Sequence, residues 1–419
     1  MKRPTRLGTC LLSAALSLAV AASARANAVM DWNIVATTAA AAPFVGGVPQ
    51  GRIFAMTHAA IHDALNAIDR RYRPYALDVQ VDANASPEAA VAAAAHDVLV
   101  HEVPPERQPM VDTAYTDSLS GIADGAAKDA GIAIGKAAAA AVIDLRSADG
   151  SQAPMPYTPG SGPGVWIPTP PDFLPAAVPG WGKVIPFGLR SGAQFRLKRP
   201  DYFDLTSDAY TADYEEVKTI GDVNSSIRTT EQSEIARFWY EGSQQGWNRL
   251  TRMFLAQHDL DLDLWETARL FALLNFAVAD AYIAHFDTKY LYNFWRPVTA
   301  IRAGDTDGND ATEPDPDWLP YLVTPAIPDY PSGHSTAGAA AATVLTRFFK
   351  HDVLPFTTTS GAPFAGIERS FQTFWDAAVE NANSRVYAGI HFRTATTDGL
   401  QLGEQVGRFV ATHALKPGK

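Results

Sequence analysis

Cysteine is almost absent from this chain of 419 residues, and its one copy, Cys10, lies close to the N-terminus. The remainder of the chain therefore has no thiol with which to form a disulfide, which excludes a fold held together by disulfide bonds. A chain of this composition is nevertheless chemically stable in an oxidising compartment.

Positive charge is also scarce, since 34 Lys and Arg residues face 45 Asp and Glu residues. This excess of acid disfavours non-specific binding to nucleic acid or to anionic membranes. Any site that holds an anion must therefore concentrate positive charge locally.

A long apolar run that would span a membrane is not evident. The run "LLSAALSLAVAA" is too short to do so, and it follows the basic residues Lys2, Arg3 and Arg6. With the small residues Ala24 and Ala26 it forms the pattern of a signal peptide over residues 1–26. The sequence predicts cleavage near Ala26, export to the periplasm or the medium, and no membrane span.

Strand-like alternation is scarce, and alanine-rich helical patterns predominate. The predicted organisation is an N-terminal helical half over residues 27–152, an ordered loop over 153–200, and a C-terminal helical bundle over 201–419. Within this loop, residues 154–186 hold ten of the 29 prolines together with Trp166 and Trp181. Disordered linkers are poor in aromatic residues, so we expect this segment to lie ordered over the body of the protein.

A pair of cations lies at the end of a predicted buried helix over residues 264–290 and just beyond it. Lys289 and Arg296 are seven residues apart, two turns of helix, so they can share a face if the helix continues. Their aromatic flanks in "KYLYNFWRP" indicate a buried setting, where cations need an anionic partner. Asp287 is the only carboxylate close to them in sequence.

Two further stretches carry residues suited to anion binding. In "DYPSGHSTAG", Ser332 is a predicted helix cap, and the Gly333 N–H and the His334 imidazole follow it. In "SRVYAGIHFR", Arg385 precedes His391 by six residues. Each stretch alone is weak, because either histidine has an ordinary role in a core. Together with Lys289 and Arg296, they suit a tetrahedral or trigonal-bipyramidal oxyanion such as phosphate or vanadate.

The order Lys-x6-Arg-Pro, then Pro-Ser-Gly-His, then Ser-Arg-x5-His resembles the superfamily of vanadium-dependent haloperoxidases and type-2 phosphatidic acid phosphatases, in its bacterial haloperoxidase-like branch. The three-part signature covers roughly the last third of the chain. Weaker resemblance extends to "MTHAAIHDALNAIDRRYRPY" and "VWIPTPPDFLPAAVPGWGKVIPF". The resemblance implies an all-α fold of helical bundles packed around a buried oxyanion site.

The resemblance also implies roles for individual residues. His391 ligates vanadium as the metal ligand, His334 is the acid/base, and Lys289 polarises peroxide bound to the vanadate cofactor. A halide then attacks and hypohalous acid is released, so hydrogen peroxide, halide and a small organic acceptor are the implied partners. The residues that hold the vanadate oxygens are Lys289, Arg296, Ser332, Gly333 and Arg385.

Two departures from the family pattern bear on these roles. Family members often carry Asp four residues after the final His, where this chain has Ala395. Without that carboxylate to orient His391, we expect weak phosphatase activity. Phe286 and Ile327 occupy the places of the halide pocket where fungal chloroperoxidases have a tryptophan and another aromatic residue, so the halide preference stays open.

Two other functions remain open at this point. An acid phosphatase would use the same residues, with His391 attacking phosphorus and His334 protonating the leaving group. A non-catalytic exported oxyanion-binding protein would need the cations but not two imidazoles. The sequence leaves homo-oligomer formation open. His58 and His62 lie one turn apart, and we interpret them as packing residues because no third metal ligand is near.

Overall fold

The computed structural model describes residues 27–260, 262–350 and 354–418, and the predicted signal peptide lies outside these ranges. The described residues form a helical protein, which confirms the predicted all-α class. The N-terminal helices are α1 (Ala28–Ala39), α2 (Gly47–Ile68), α3 (Pro87–Glu102), α4 (Gln108–Ser120) and α5 (Ala126–Arg146).

Eight further helices follow. They are α6 (Asp208–Ile220), α7 (Thr230–Phe238), α8 (Ser243–His258), α9 (Leu264–Tyr292), α10 (Pro297–Arg302), α11 (Gly333–Phe349), α12 (Phe374–Tyr387) and α13 (Arg393–His413). A two-stranded antiparallel hairpin, β1 (Phe356–Thr359) and β2 (Glu368–Phe371), pairs Phe356 with Phe371. Short 3-10 helices cover Pro105–Arg107, Trp181–Lys183, Gly192–Phe195, Pro200–Phe203 and Gly304–Thr306.

Helix α9 is the central helix. It begins with a capping box, in which Asp263 and Glu266 satisfy each other's backbone N–H groups. Among the described residues, α9 alone is long and apolar enough to cross a membrane, but 94% of its most apolar window is buried inside the protein. It packs against α2 on one side and against α11 and α13 on the other, so a single core joins residues from both halves of the chain.

Helices α11 and α13 pack very closely because α13 presents a stripe of glycines. A Cβ atom at Gly403 would lie 2.1 Å from the Thr336 carbonyl oxygen, and one at Gly407 would lie 2.5 Å from the Ala340 carbonyl oxygen. The backbone of α13 therefore approaches α11 more closely than any side chain permits. This packing brings the start of α11 next to the segment that precedes α13.

Residues between α5 and α6 contain no α-helix, yet this segment is tied to the body. Trp166 is fully buried and its backbone N–H donates to the Asn293 carbonyl at 2.8 Å. The Asp280 carboxylate on α9 accepts three backbone N–H groups, those of Phe187, Gly188 and Leu189, at 2.6–2.8 Å. The segment thereby fixes the chain just after α9, where the site begins.

Candidate active site

Lys289 and Arg296 are not on one continuous helix, so the prediction that they share a helical face is wrong. Helix α9 ends at Tyr292, and Asn293 adopts the left-handed conformation with φ of 51°. The chain then turns, and Arg296 is the N-cap of α10. Both side chains are fully buried and reach the same pocket despite this break.

The ammonium group of Lys289 is fixed by two backbone carbonyls. Its Nζ donates to the Pro328 and Asp329 carbonyl oxygens, each at 2.8 Å. An ammonium has three N–H donors, so one remains for another partner. Burial and the nearby Arg296 guanidinium hold the pKa of Lys289 well below its usual range.

Arg296 is anchored in a similar way. Its Nε donates to the Ile327 carbonyl oxygen at 2.7 Å, and its Nη1 donates to the Ile390 carbonyl oxygen at 2.6 Å. Among the described residues Nη2 is buried and has no partner. Burial lowers the pKa of Arg296 to about 10.

Arg385, on α12, supplies the third cation. Its Nη1 donates to the Trp239 carbonyl oxygen at 3.0 Å, while its buried Nε meets no acceptor in the part of the chain that the structure describes. Only 1% of the residue is exposed, and burial lowers its pKa to about 10. The three cations are therefore held by carbonyl oxygens, which position them without neutralising them.

Ser332 and Gly333 lie where α11 begins. The fully buried Ser332 is the N-cap, as predicted, and its Oγ accepts from the Ser335 N–H and hydroxyl at 3.4 and 2.9 Å. The Gly333 N–H belongs to the first turn, where backbone donors have no partner within the helix. These donors and the helix dipole favour an anion at this end.

His391 lies between α12 and α13, and its carboxylate partner comes from another segment. Its Nδ1 is 2.8 Å from Oδ1 of Asp329, which is fully buried. The two atoms are within ion-pair distance, but their alignment is not that of a hydrogen bond. The other ring nitrogen, Nε2, lies 3.0 Å from Nη1 of Arg296 and faces the cations.

The expectation that His391 lacks a carboxylate partner is therefore wrong. Because α13 starts at Arg393, Ala395 is not one helical turn beyond His391, and its carbonyl instead accepts the Ser332 N–H at 2.8 Å. Asp398 binds the Tyr330 hydroxyl at 2.7 Å and also Arg199.

Asp329 is also the acid that faces the cations. Asp287, which the sequence suggested for this role, forms an ion pair with Arg196 at 2.7 Å instead. Burial raises the pKa of Asp329 to about 7, against the opposing effects of Arg296 and Lys289. Its Oδ1 lies 3.9 Å from Arg296 Nη1, so it neutralises the three cations only in part.

His334 sits on the first turn of α11 and is held by one backbone contact. Its Nε2 lies 2.9 Å from the Glu241 carbonyl oxygen, which can only accept, so Nε2 carries the proton and Nδ1 is left as an acceptor. Burial and the nearby Arg385 lower the pKa of His334 well below its usual value. The same causes, with Arg296 as the leading cation, act on His391.

Two parts of the site escaped sequence reasoning. Asp329 lies three residues before Ser332, within the quoted stretch "DYPSGHSTAG", but its role depends on how the chain folds. The Glu241 carbonyl comes from a turn that is distant in sequence.

The predicted halide-pocket residues stay a prediction. Phe286 is buried with its ring centroid 4.6 Å from that of His285, and Ile327 is half-buried while its carbonyl anchors Arg296. His58 and His62 have ordinary packing roles, since His58 Nε2 lies 2.8 Å from Asn33 Nδ2 and His62 Nδ1 lies 3.0 Å from Asp63. Among the described residues, no group of three metal-ligating side chains is present.

The chain resembles known proteins in both sequence and fold. Residues 269–417 match the VCPO second helical-bundle domain. Vanadium chloroperoxidase of Curvularia inaequalis is 26% identical over 41% of this chain and 37% of its own length. Vanadium-dependent bromoperoxidase of Ascophyllum nodosum is 30% identical over 36% of this chain and 30% of its own length. The matches thus span about a third of these two relatives.

Solved structures match over nearly the whole chain. A bacterial vanadium-dependent iodoperoxidase superposes with a TM-score of 0.83 at 26% identity, covering 94% of this chain and 97% of its own. A bacterial vanadium-dependent chloroperoxidase in its holo form gives a TM-score of 0.72 at 19% identity, with 89% and 94% covered. The second likeness concerns the fold alone.

Proposed function

This chain belongs to the vanadium haloperoxidase superfamily, and from that premise we propose that it is a peroxidase that holds vanadate in its buried cationic pocket and oxidises halide with hydrogen peroxide. The observation that carries the proposal is the unbalanced charge of the pocket. Lys289, Arg296 and Arg385 are buried together with Asp329 as the one carboxylate among the described residues that faces them.

Buried cations without full compensation are costly, and a bound anion removes that cost. The donors left free suit an oxyanion, because Arg296 Nη2, Arg385 Nε and one N–H of Lys289 have no partner among the described residues. Charge-assisted hydrogen bonds of this kind are the strong ones. The residues therefore fit vanadate, which Ser332 and Gly333 would hold from the end of α11.

His391 is suited to be the metal ligand. The Asp329 carboxylate, 2.8 Å from Nδ1, favours the tautomer with its proton on Nδ1, and this leaves the Nε2 lone pair facing the cations. When bound, vanadate supplies a Lewis-acidic centre at which peroxide becomes reactive toward halide. The low pKa of His391 keeps the ring neutral, as a ligand must be.

Proton transfer falls to His334, whose Nδ1 is free to accept a proton while Nε2 donates to the Glu241 carbonyl. As peroxide binds, it must lose protons, and a neutral imidazole beside Arg385 can take one. The free N–H of Lys289 would donate a hydrogen bond to peroxide in the pocket and so stabilise negative charge on it. Phe286 and Ile327 are proposed to line the halide position.

Asp329 favours a second candidate, an acid phosphatase. A carboxylate that orients His391 also makes Nε2 a better nucleophile, which removes the sequence-based argument against phosphoryl transfer. Nε2 would form a bond to phosphorus as the ester oxygen leaves, and His334 in its protonated form would give that oxygen a proton. Water would then cleave the phosphohistidine.

The experiment starts from protein freed of bound anions by dialysis against chelator. We expect orthovanadate to confer peroxide-dependent oxidation of bromide or iodide, and phosphate to suppress it by competing for the same cations. Absence of vanadate-dependent oxidation with every halide, together with ready hydrolysis of p-nitrophenyl phosphate, would establish the second candidate instead.

We also propose that the chain is exported after cleavage near Ala26, on the basis of residues 1–26. N-terminal sequencing of protein recovered from the periplasm or medium of the producing cells tests this, and we expect a start at Asn27. Recovery from the cytoplasm with Met1 intact would contradict it.

A further inference from the structure

His285 is a buried histidine without an assigned task. It lies on α9 one turn before Lys289, and only 1% of it is exposed. Both of its ring nitrogens are buried, and neither has a hydrogen-bond partner among the described residues. Buried polar groups are nearly always partnered, so two unpartnered nitrogens on one ring call for an explanation.

The ring lies against the start of α11. A Cβ atom built on Gly333 would meet His285 Nε2 at 2.9 Å and Cε1 at 3.0 Å. The Nε2 edge of the imidazole therefore lies against Gly333, whose backbone N–H is one of the donors of the proposed anion site. Gly333 is required at this position because any side chain would collide with the ring.

Aromatic rings contact the imidazole elsewhere. The Tyr282 ring meets it edge-on at 5.5 Å between centroids, and the Phe286 ring is tilted against it at 4.6 Å. Neither ring offers an acceptor in the plane of the imidazole, and the Tyr282 hydroxyl is occupied with Gln244. The side of Gly333, at the start of α11, is where Nε2 meets the backbone rather than an aromatic ring.

The imidazole is uncharged. Burial lowers its pKa well below the usual value, with Lys289 as the leading charge that adds to the effect. A neutral imidazole carries one N–H donor and one acceptor. Lys289 and Arg296 also act on this ring and offer only donors, so the N–H of His285 is the part that an anion bound beside them can use.

We propose that His285 is a third imidazole of the anion pocket, which donates its ring N–H to an oxygen of the bound tetrahedral oxyanion. The inference rests on the proposed anion site and extends it by a ligand-binding residue on α9. The pocket then takes hydrogen bonds from α9, α10, α11 and α12, and the His285 N–H gains the partner that it lacks in the anion-free protein.

The rival explanation is that the ring merely fills space beside Gly333. His285→Phe separates the two, because phenylalanine keeps a ring of similar volume but has no N–H. His285→Gln is the rescue variant, because its amide can place a donor close to the position of Nε2. His58→Phe is the matched control, since His58 is also buried and stacked on a ring, that of Phe271 at 5.3 Å, but is partnered by Asn33.

Isothermal titration of the anion-free proteins with phosphate and with orthovanadate gives the affinities, and thermal unfolding gives Tm. We expect His285→Phe to weaken both anions roughly ten- to hundredfold, with a Tm that stays or rises because an unpartnered polar group is gone. His285→Gln should regain most of the affinity. His58→Phe should lower Tm and leave the affinities unchanged.

Two results would overturn the proposal. One is an unchanged anion affinity in His285→Phe. The other is a loss of affinity that is equally large in His285→Phe and His285→Gln and that accompanies a lowered Tm. The outcome is separable from that of the proposed function. Wild-type protein that binds both anions but oxidises no halide would refute the peroxidase assignment, and the His285 comparison would still be decided by the titrations.

Discussion

Buried cations occur in two regions of this protein, and the two regions differ in how far carboxylates balance the positive charge. In the N-terminal half, Arg52 contacts Asp149 and Glu102 at 2.8 and 2.7 Å, and Arg146 contacts Asp149 at 2.8 Å. Two guanidinium groups thus face two carboxylates. In the pocket, three cations face Asp329 as the one carboxylate in the described part of the chain, and backbone carbonyls position them. The balanced cluster joins α2, α3 and α5, whereas the unbalanced one is suited to a ligand.

The largest effect that we expect inside the pocket comes from its two best-defined imidazoles. His391→Ala should abolish retention of vanadate on gel filtration, because the coordinating nitrogen is lost. His334→Ala should keep vanadate and lose turnover, because its part is proton transfer. Vanadium content by elemental analysis, beside bromide oxidation, measures both, and equal loss of vanadium in the two variants would contradict these roles.

Removing a carboxylate from the balanced cluster should lower the stability of the fold and leave anion affinity unchanged. Asp149→Ala leaves Arg146 buried without its carboxylate, and we expect the free energy of unfolding to fall by about 3–5 kcal/mol. Denaturant titration of the anion-free protein measures this. Phosphate affinity should be unchanged, and a parallel loss of affinity would show that the two regions are not separate.

Removing one cation of the unbalanced cluster should weaken anion binding without lowering the stability of the fold. Arg385→Ala removes a charge-assisted donor, and we expect a loss of about 1.5–3 kcal/mol in vanadate binding, roughly ten- to hundredfold in Kd. The unfolding free energy of the anion-free variant should hold or rise, because an uncompensated cation is removed. The exposed pair Arg70 and Asp78 offers the control Arg70→Ala, which should change neither quantity.

The carboxylate partner of His391 can be tested both at Asp329 and at position 395. Asp329→Asn should weaken vanadate binding about tenfold, since partners of a metal-bound histidine typically contribute on that order. Ala395→Asp should bring no gain in binding or in phosphatase activity, because the place is fully buried and Asp329 already serves His391. A rise in phosphatase activity in Ala395→Asp would instead support the sequence-based prediction that the missing carboxylate at position 395 limits this activity.

The smallest effect concerns acid stability and a histidine with a structural role. Burial, with the nearby Arg252, lowers the pKa of His58 from 6.5 to about 3. Since the unfolded chain binds the proton more readily, His58 makes stability fall as pH decreases below 6.5. His58→Gln should therefore lose less stability between pH 6.5 and 5 than the wild type in denaturant titrations. The exposed His413→Gln is the control, and equal pH slopes in all three proteins would contradict this reasoning.

Much of the site follows from short motifs, because the chemistry of an oxyanion restricts which residue types can bind it. Ser332, Gly333 and the three cations lie where a helix start or a buried aromatic setting predicted them. The all-α class and the central helix α9 also follow from periodicity and the family resemblance.

What the sequence could not provide depends on the path of the backbone. Asn293 takes a left-handed conformation that ends α9, so the spacing of Lys289 and Arg296 on a helix was misjudged. The family pattern places the carboxylate partner of His391 at position 395, whereas the fold brings Asp329 to His391 from a segment more than sixty residues earlier. Contacts between segments that are distant in sequence, such as His334 with Glu241, have no local pattern.

The central claim is that the unbalanced cations hold one tetrahedral oxyanion. Equilibrium dialysis of the purified protein against orthovanadate, with vanadium and protein quantified in the same sample, tests it most directly. We predict saturation at one vanadium per chain and displacement of vanadate by phosphate. The binding curve should shift to higher vanadate concentration in Arg385→Ala but not in Asp149→Ala. Failure to bind vanadate, or binding that phosphate does not displace and that is the same in both variants, would contradict it.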